Sequence, residues 1–283
     1  MKNRGFTLIE LLVVIAIITL LMGILLPALA KARAAAVQVK DATQLTQVYK
    51  AMATFARQFN GVFPKPGLIN TIGTEPGVGA EQMALNHSGP MYSACIAQNF
   101  FTPAIVVSPS EPNGRILAKN DYNQEAYRPI NDVYWDTTFQ TVLNTLCHTS
   151  YAHSPLTGQR GQQNWRDNLD SEWTMFSNRG VENGVLTSTV YEASLTLQIH
   201  GGRKQWVGNI CYADGHVNVE DSFRIEGINF LNSASAITPD NIFDEQTIAQ
   251  SGGGGRGSGY DRWLVIYTIA NPNGQNLNGL QWD

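Results

Sequence analysis

Glu10 is the only charged residue between Phe6 and Leu26, a run that is otherwise apolar apart from Thr7, Thr19 and Gly23. A carboxylate at the middle of a bilayer costs roughly 3 kcal/mol on insertion scales, so Glu10 calls for a partner or a task. The other residues whose types could do chemistry lie far along the chain. His200, Asp214 and His216 carry side chains that ordinarily ligate metals, and Asp214, Glu220, Asp221, Asp240 and Asp244 offer oxygens that calcium could take. Neither group has the spacing of an EF-hand or a zinc site. Asp214-Gly215 also has a simpler use as turn chemistry, and His200-Gly201-Gly202 reads as a turn ahead of a strand. Ser150 stands between His148 and His153 in "CHTSYAHS", but sequence proximity does not make a triad, whose members are matched in space. No nucleophile elbow, kinase signature or phosphate-binding loop appears. The expectation is therefore no enzyme and no resident cofactor, with calcium the one candidate ion. Trp135, Trp165, Trp173, Trp206, Trp263 and Trp282 could line a carbohydrate surface, although core packing is the commoner use of tryptophan.

The element that carries Glu10 is the most legible one. Met1–Gly5 holds Lys2 and Arg4, and the apolar run that follows has 21 residues, about 31 Å of helix, enough to cross a bilayer. Basic residues ahead of it favour an N-in orientation with the bulk of the chain outside the cytoplasm. A secretory signal would place its small residue after the apolar run; here Gly5 precedes it, so cleavage there would leave the apolar helix on the mature chain. Helical spacing continues through Leu45, Val48, Tyr49, Met52, Phe55, Ala56 and Phe59, with Lys40, Gln44, Gln47, Lys50, Thr54 and Gln58 on other faces. Asn60-Gly61 followed by Pro64 is a stop signal. One helix of about 54 residues is expected over Phe6–Phe59, apolar all round in residues 6–33 and amphipathic in 34–60. Pro27 and Gly23 weaken the same stretch, which predicts a kink or local opening.

Residues 61–283 read as a loop-rich α+β head with an antiparallel β-sheet, and residues 251–259, "SGGGGRGSG", as a flexible loop. "LTSTVYEASLTLQIH", "CHTSYAHS" and "RWLVIYTIANPNG" have strand composition. "KQWVGNICYADGHVNVEDSF" is the clearest hairpin: a two-residue Asp214-Gly215 turn would set Ala213 opposite His216 and Cys211 opposite Asn218, with Ile210, Tyr212, Val217 and Val219 on the core face. Cys95, Cys147 and Cys211 form no CxxC pair; they fit either one disulfide and a free thiol or three small buried residues. Charged residues make up 15% of the chain, its net charge is −4, and hydrophobic residues reach 43%. That composition supports a folded core. With no basic patch past the first 40 residues, it argues against nucleic acid as a ligand.

"RGFTLIELLVVIAIITLL" resembles the signal of type IV pilins and type II secretion pseudopilins. The match rests on Gly5 before the cut, Phe6 as the new N-terminal residue and Glu10 four residues later. The resemblance implies that a prepilin peptidase of the membrane cleaves after Gly5 and methylates the Phe6 amine. It also implies that Glu10 meets the amine of a neighbouring subunit as helices pack into a filament, and that Pro27 marks a stretch that opens on assembly. The expected function is a structural subunit, held in the cytoplasmic membrane with its head outside and then polymerised into a helical surface filament. The alternative is a pseudopilin in a type II secretion machine, and a third reading is a membrane-anchored binding protein that does not polymerise. The partners implied are further copies of the chain, the peptidase, the membrane and a pilus or secretion assembly machinery.

A second, scattered resemblance covers the head. "QLTQVYKAMATFARQFNGVFP" is similar to a segment of a large family of pilin-like proteins abundant in planctomycetes. That family also carries a C-terminal histidine ahead of Asp-Gly. Here His200-Gly201-Gly202 precedes Ala213-Asp214-Gly215-His216, at a longer spacing than is usual there, and "VSPSEPN" has Ser108 where that family often has cysteine.

Overall fold

A computed structural model describes residues 7–75, 77–167, 170–231, 237–245, 261–270 and 277–282. The leader 1–5, with Gly5, as well as Phe6 and the glycine-rich loop 251–259, lie outside the described residues. Helix α1 runs from Leu8 to Ala56 without interruption, 49 residues or about 74 Å. Pro27 sits inside it and does not break it, and Thr7 caps its start. Its end is set by left-handed backbone at Asn60 (φ 53°) and Gly61 (φ 80°), where asparagine and glycine carry the least steric penalty.

The two halves of α1 have different surroundings. From Leu8 to Leu29 every large apolar side chain is at least 44% exposed. From Asp41 onward the helix lies on the head and buries Leu45, Val48, Tyr49, Met52, Phe55 and Ala56. These residues follow the apolar spacing in the sequence. Phe59 lies beyond the helix end, 47% exposed, and stacks on Phe55 with ring centroids 4.1 Å apart.

The surface that receives α1 is a four-stranded antiparallel sheet of β1 (Tyr151–His153), β2 (Thr174–Asn178), β3 (Gly208–Tyr212) and β4 (Val217–Glu220), in that spatial order. Strand β3 is buried on both faces. Cys211 and the adjoining Ala213 pack with Leu45, Tyr49, Met52 and Phe176 on the α1 side. Ile210 and Tyr212 pack on the other side with Ile225, Ile228, Ile242, Phe243 and Ile266. Those residues come from β5 (Arg224–Leu231), which pairs with β6 (Ile237–Asn241), from the turn after β6, and from β7 (Ile266–Ala270), which pairs with β8 (Leu277–Gln281). A bridge between His153 and Val265 joins this C-terminal pair to the edge of the sheet. Helix α2 (Ser88–Ala97) packs its Met91, Tyr92, Cys95 and Ile96 into the core shared with α1. The architecture is α+β, a long N-terminal helix on a head with antiparallel sheets.

Two local expectations are corrected. The hairpin turn has three residues: Cys211 pairs with Val217 and Ile210 with Asn218, and the Tyr212 amide donates to the His216 carbonyl at 3.0 Å. A turn closed by glycine in the left-handed region (Gly215, φ +87°) adds the extra residue. Ile210 and Tyr212 keep the core face expected of them. Val217 instead joins Cys211 on the α1 side, and Val219 is 55% exposed. The segment "LTSTVYEASLTLQIH" is helical, with one helix over Ser188–Ala193 and a 3-10 turn over Thr196–Gln198. Thr187 caps the first through the Val190 amide at 3.4 Å. Leu186, Val190 and Leu197 face the distal core at helical intervals, not alternate ones.

Candidate functional site

Two places in the fold gather the residues that the sequence singles out. The first is the exposed start of α1. Thr7 and Glu10 form a reciprocal cap: the Thr7 amide and hydroxyl donate to Glu10 Oε2 at 2.8 and 2.7 Å, and the Glu10 amide donates to Thr7 Oγ1 at 3.3 Å. In the single subunit, then, the carboxylate is used by its own helix terminus, which a negative charge also stabilises through the helix dipole. The apolar surface that follows is long enough to cross a membrane, and none of it is covered by the head.

The second place is the seam where α1 meets the head. Asp41 is fully buried. Its Oδ1 accepts from the Tyr151 hydroxyl at 2.7 Å, and its Oδ2 from Asn178 Nδ2 at 2.8 Å, Asn209 Nδ2 at 2.7 Å and His200 Nε2 at 2.8 Å. Burial pulls the Asp41 carboxyl up, but hydrogen bonds from His200, Ser108 and Tyr151 outweigh it and hold the group below the usual aspartate value. A buried carboxylate is tolerable only with donors of this number and geometry. Because the carboxylate has no proton to give, His200 Nε2 is the donor; in the neutral ring Nδ1 then accepts from the Ser110 hydroxyl, 3.4 Å away. The loop bearing Ser108 and Ser110 is fixed by a buried ion pair between Glu111 and Arg179 and by the Ser108 amide donating to Ser150 Oγ at 3.0 Å.

Two turns further along the same face of α1, the Tyr49 hydroxyl donates to the Ala213 carbonyl at 2.6 Å. Gly215 lies flat against the Tyr49 ring, where a Cβ would come within 2.7 Å of Cε1. The two halves of the His…Asp-Gly pattern therefore grip one helix at two points, His200 on Asp41 and the Asp-Gly turn on Tyr49. Asp214 itself accepts from the His216 amide at 3.0 Å and from His216 Nδ1 at 2.5 Å. His200 is thus engaged with Asp41 while Asp214 and His216 are engaged with each other, and among the described residues no three His, Cys, Asp or Glu side chains gather where one ion could be held. The proposed grouping of His200, Asp214 and His216 as a ligand set does not form.

The remaining chemical candidates are dispersed. His153 sits among Tyr92, Trp165 and Tyr267, its Nδ1 on the Ser154 carbonyl and its Nε2 on Ser88 Oγ, both at 2.8 Å. Burial lowers its pKa to about 4. His148 Nδ1 meets the Leu117 carbonyl at 2.8 Å, so His148, Ser150 and His153 each have separate structural partners. Cys95, Cys147 and Cys211 are free and buried. Burial raises all three thiols, Cys147 to about 12. The tryptophans at 135, 165, 173, 206 and 263 are at most 7% exposed and serve the core.

Gln44, whose spacing assigns it to a polar face, and Asp41, which the apolar spacing does not include, are both buried. The signal for Asp41 was its interval: it precedes Leu45, Val48 and Met52 on one helical stripe. Just ahead of Asp41, between residues 26–38 of α1 and the loops at Ser110 and Gln198–Gly201, runs an open groove of about 920 Å³, with His200 in its wall.

Comparison with known proteins gives one match, to the prokaryotic N-terminal methylation motif over residues 1–26. Neither a curated protein nor a solved structure matches the chain. The matched stretch contains Gly5, Phe6 and Glu10 and takes in most of the uncovered half of α1, so the chain carries a prepilin-type N-terminus, with the processing and membrane anchorage which that motif implies.

Proposed function

We propose that this chain is a pilin-like structural subunit, cut after Gly5, held in the cytoplasmic membrane by the first half of α1 and then polymerised into a helical filament outside the cytoplasm. The observation that carries the reading is the contrast along α1: an apolar half wholly uncovered by the head, continuous with a half that is docked on it. An apolar surface of that extent needs lipid or other copies of itself. The best-built polar cluster of the head, around Asp41, is spent on holding α1. Pro27 is the place where α1 would open in the polymer, since the residue removes a backbone hydrogen bond there.

The test begins with processing. Gly5→Val should block cleavage if a small residue is required before Phe6, and Gly5→Ala should be partly tolerated. Intact-mass measurement on the membrane-extracted chain reads the outcome. A mature mass that still includes residues 1–5 in the parent chain would refute the reading. Electron microscopy of sheared cell-surface material then separates a filament subunit from a secretion pseudopilin, whose loss would instead abolish export of other proteins.

A further inference from the structure

We propose that the groove between α1 and the head binds the headgroup of an anionic phospholipid, with the phosphate between Lys31 and Arg33 and the upper acyl chain along Leu26 and Leu29. This rests on the membrane-anchored reading above.

The placement is the first argument. The exposed apolar surface of α1 ends at Leu29, and Lys31 follows two residues later. Leu8 to Leu29 spans about 32 Å of helix, so the groove opens at the level where the hydrocarbon of a bilayer gives way to headgroups. Leu26 and Leu29 line one end of the groove, and at the other Gln38, Ser110 and His200 stand beside Val37, Pro109 and Ile199.

Shape and charge are the second. At 100° per residue, Lys31 and Arg33 lie about 160° apart around α1. Both line the groove, so they bracket it from either flank, and the strip between them is made of Ala30 and Ala34, whose small side chains leave the space open. Both cations are exposed, and neither forms an ion pair among the described residues. The buried acids of the seam are already engaged: Asp41 by His200, Tyr151 and two asparagines, and Glu111 by Arg179. The mouth is left with two uncompensated positive charges, the complement of a phosphodiester. Orientation does not explain them. Lys31 and Arg33 equal in number the Lys2 and Arg4 that precede the span, so they weaken the charge asymmetry that sets topology and call for another use.

The experiment uses the full chain. Flotation with vesicles of pure phosphatidylcholine reads the anchor alone. If the chain fails to float there, the anchoring reading falls and this inference with it. In nanodiscs of phosphatidylcholine containing phosphatidylglycerol, native mass spectrometry of the released protein should show phosphatidylglycerol retained in preference to phosphatidylcholine. Lys31→Gln with Arg33→Gln should cut that preference about tenfold, in keeping with the pull of two basic residues on an anionic surface. Ala34→Trp, which keeps both charges but fills the groove, should cut it comparably. No preference in the parent chain would overturn the proposal, as would full retention in Ala34→Trp, which would reduce the effect to diffuse surface charge. Displacement by millimolar inorganic phosphate would assign the groove to a free anion. A dimer that forms in phosphatidylcholine alone and is lost in Ala34→Trp would assign it to a second copy. Either result would overturn the lipid.

Discussion

Asp41 joins a charge on the helix to a histidine 159 positions away. Asp41→Asn would turn an acceptor into a donor facing the amides of Asn178 and Asn209, and should lower the stability of the folded head by roughly 3 kcal/mol, the usual cost of leaving buried polar groups mismatched. His200→Ala should cost less, because the two asparagines and Tyr151 still satisfy the carboxylate. Urea unfolding followed by tryptophan fluorescence would read both, and equal midpoints for Asp41→Asn and the parent would remove Asp41 as the fastener. Asp41 was legible in principle from its interval to Leu45. What could not be read was the identity of its partners, because Tyr151, Asn178 and Asn209 come from three different strands and His200 from a loop, and no local pattern links them. Glu10, by contrast, was legible from type and position alone, since a charge inside an apolar run is conspicuous without any tertiary knowledge.

At the scale of elements, α1 was readable over nearly its whole length because its periodicity is long and its end is marked by Asn60-Gly61; the Thr7 cap, which starts it at Leu8 and not at Phe6, was not read from the sequence. The β-structure was harder. One residue more in the turn at Asp214 moved the register of a whole strand, and Gly215 takes its conformation in contact with Tyr49, a residue 166 positions earlier. The same limit applies to "LTSTVYEASLTLQIH", where β-branched composition pointed to a strand while the spacing of Leu186, Val190 and Leu197 pointed to a helix, and burial against the distal core favoured the spacing. The division of α1 into two halves predicts that a chain beginning at Ala34 will be soluble and monomeric, because it keeps the docked face from Asp41 to Ala56 and loses the uncovered apolar surface. Sedimentation velocity decides it; fibres from that shortened chain would mean that the heads polymerise without the apolar half.

A subunit of the proposed kind must be stable outside the cytoplasm and adhesive only along its apolar helix, and pH probes the first property. Burial lowers His153 and His87 to about 4 in the folded head, against roughly 6.5 in an unfolded chain. A histidine whose folded pKa is lowered takes up a proton more readily on unfolding, so its stabilising effect is full above about pH 6.5 and is lost as pH falls towards 4, by about 3 kcal/mol for His153 and less for the less buried His87. Asp41, held below its unfolded value of about 3.9, adds a further loss only below that pH. Urea midpoints should therefore fall between pH 7 and 4.5, and His153→Gln should flatten that slope; an unchanged slope would show that the ring is not kept neutral by the core. Assembly is the second property, and Glu10 is its test. In the lone subunit the carboxylate closes a cap with Thr7 at an exposed helix end. Thr7 is neutral, and a carboxylate in lipid is costly without a compensating charge, so a cationic Phe6 amine on an adjoining copy would be a better partner than Thr7. Glu10→Leu should leave membrane insertion intact or improved and still reduce filament yield severalfold, because the complementarity that sets one helix against the next is gone. Glu10→Asp should fall between, since the charge stays but its reach shortens by one methylene. Comparing membrane-bound with filamentous protein, after confirming cleavage by intact mass, separates the cases: if the three chains assemble alike, the cap with Thr7 is all that Glu10 does, and the apolar surface of α1 alone drives the subunits together.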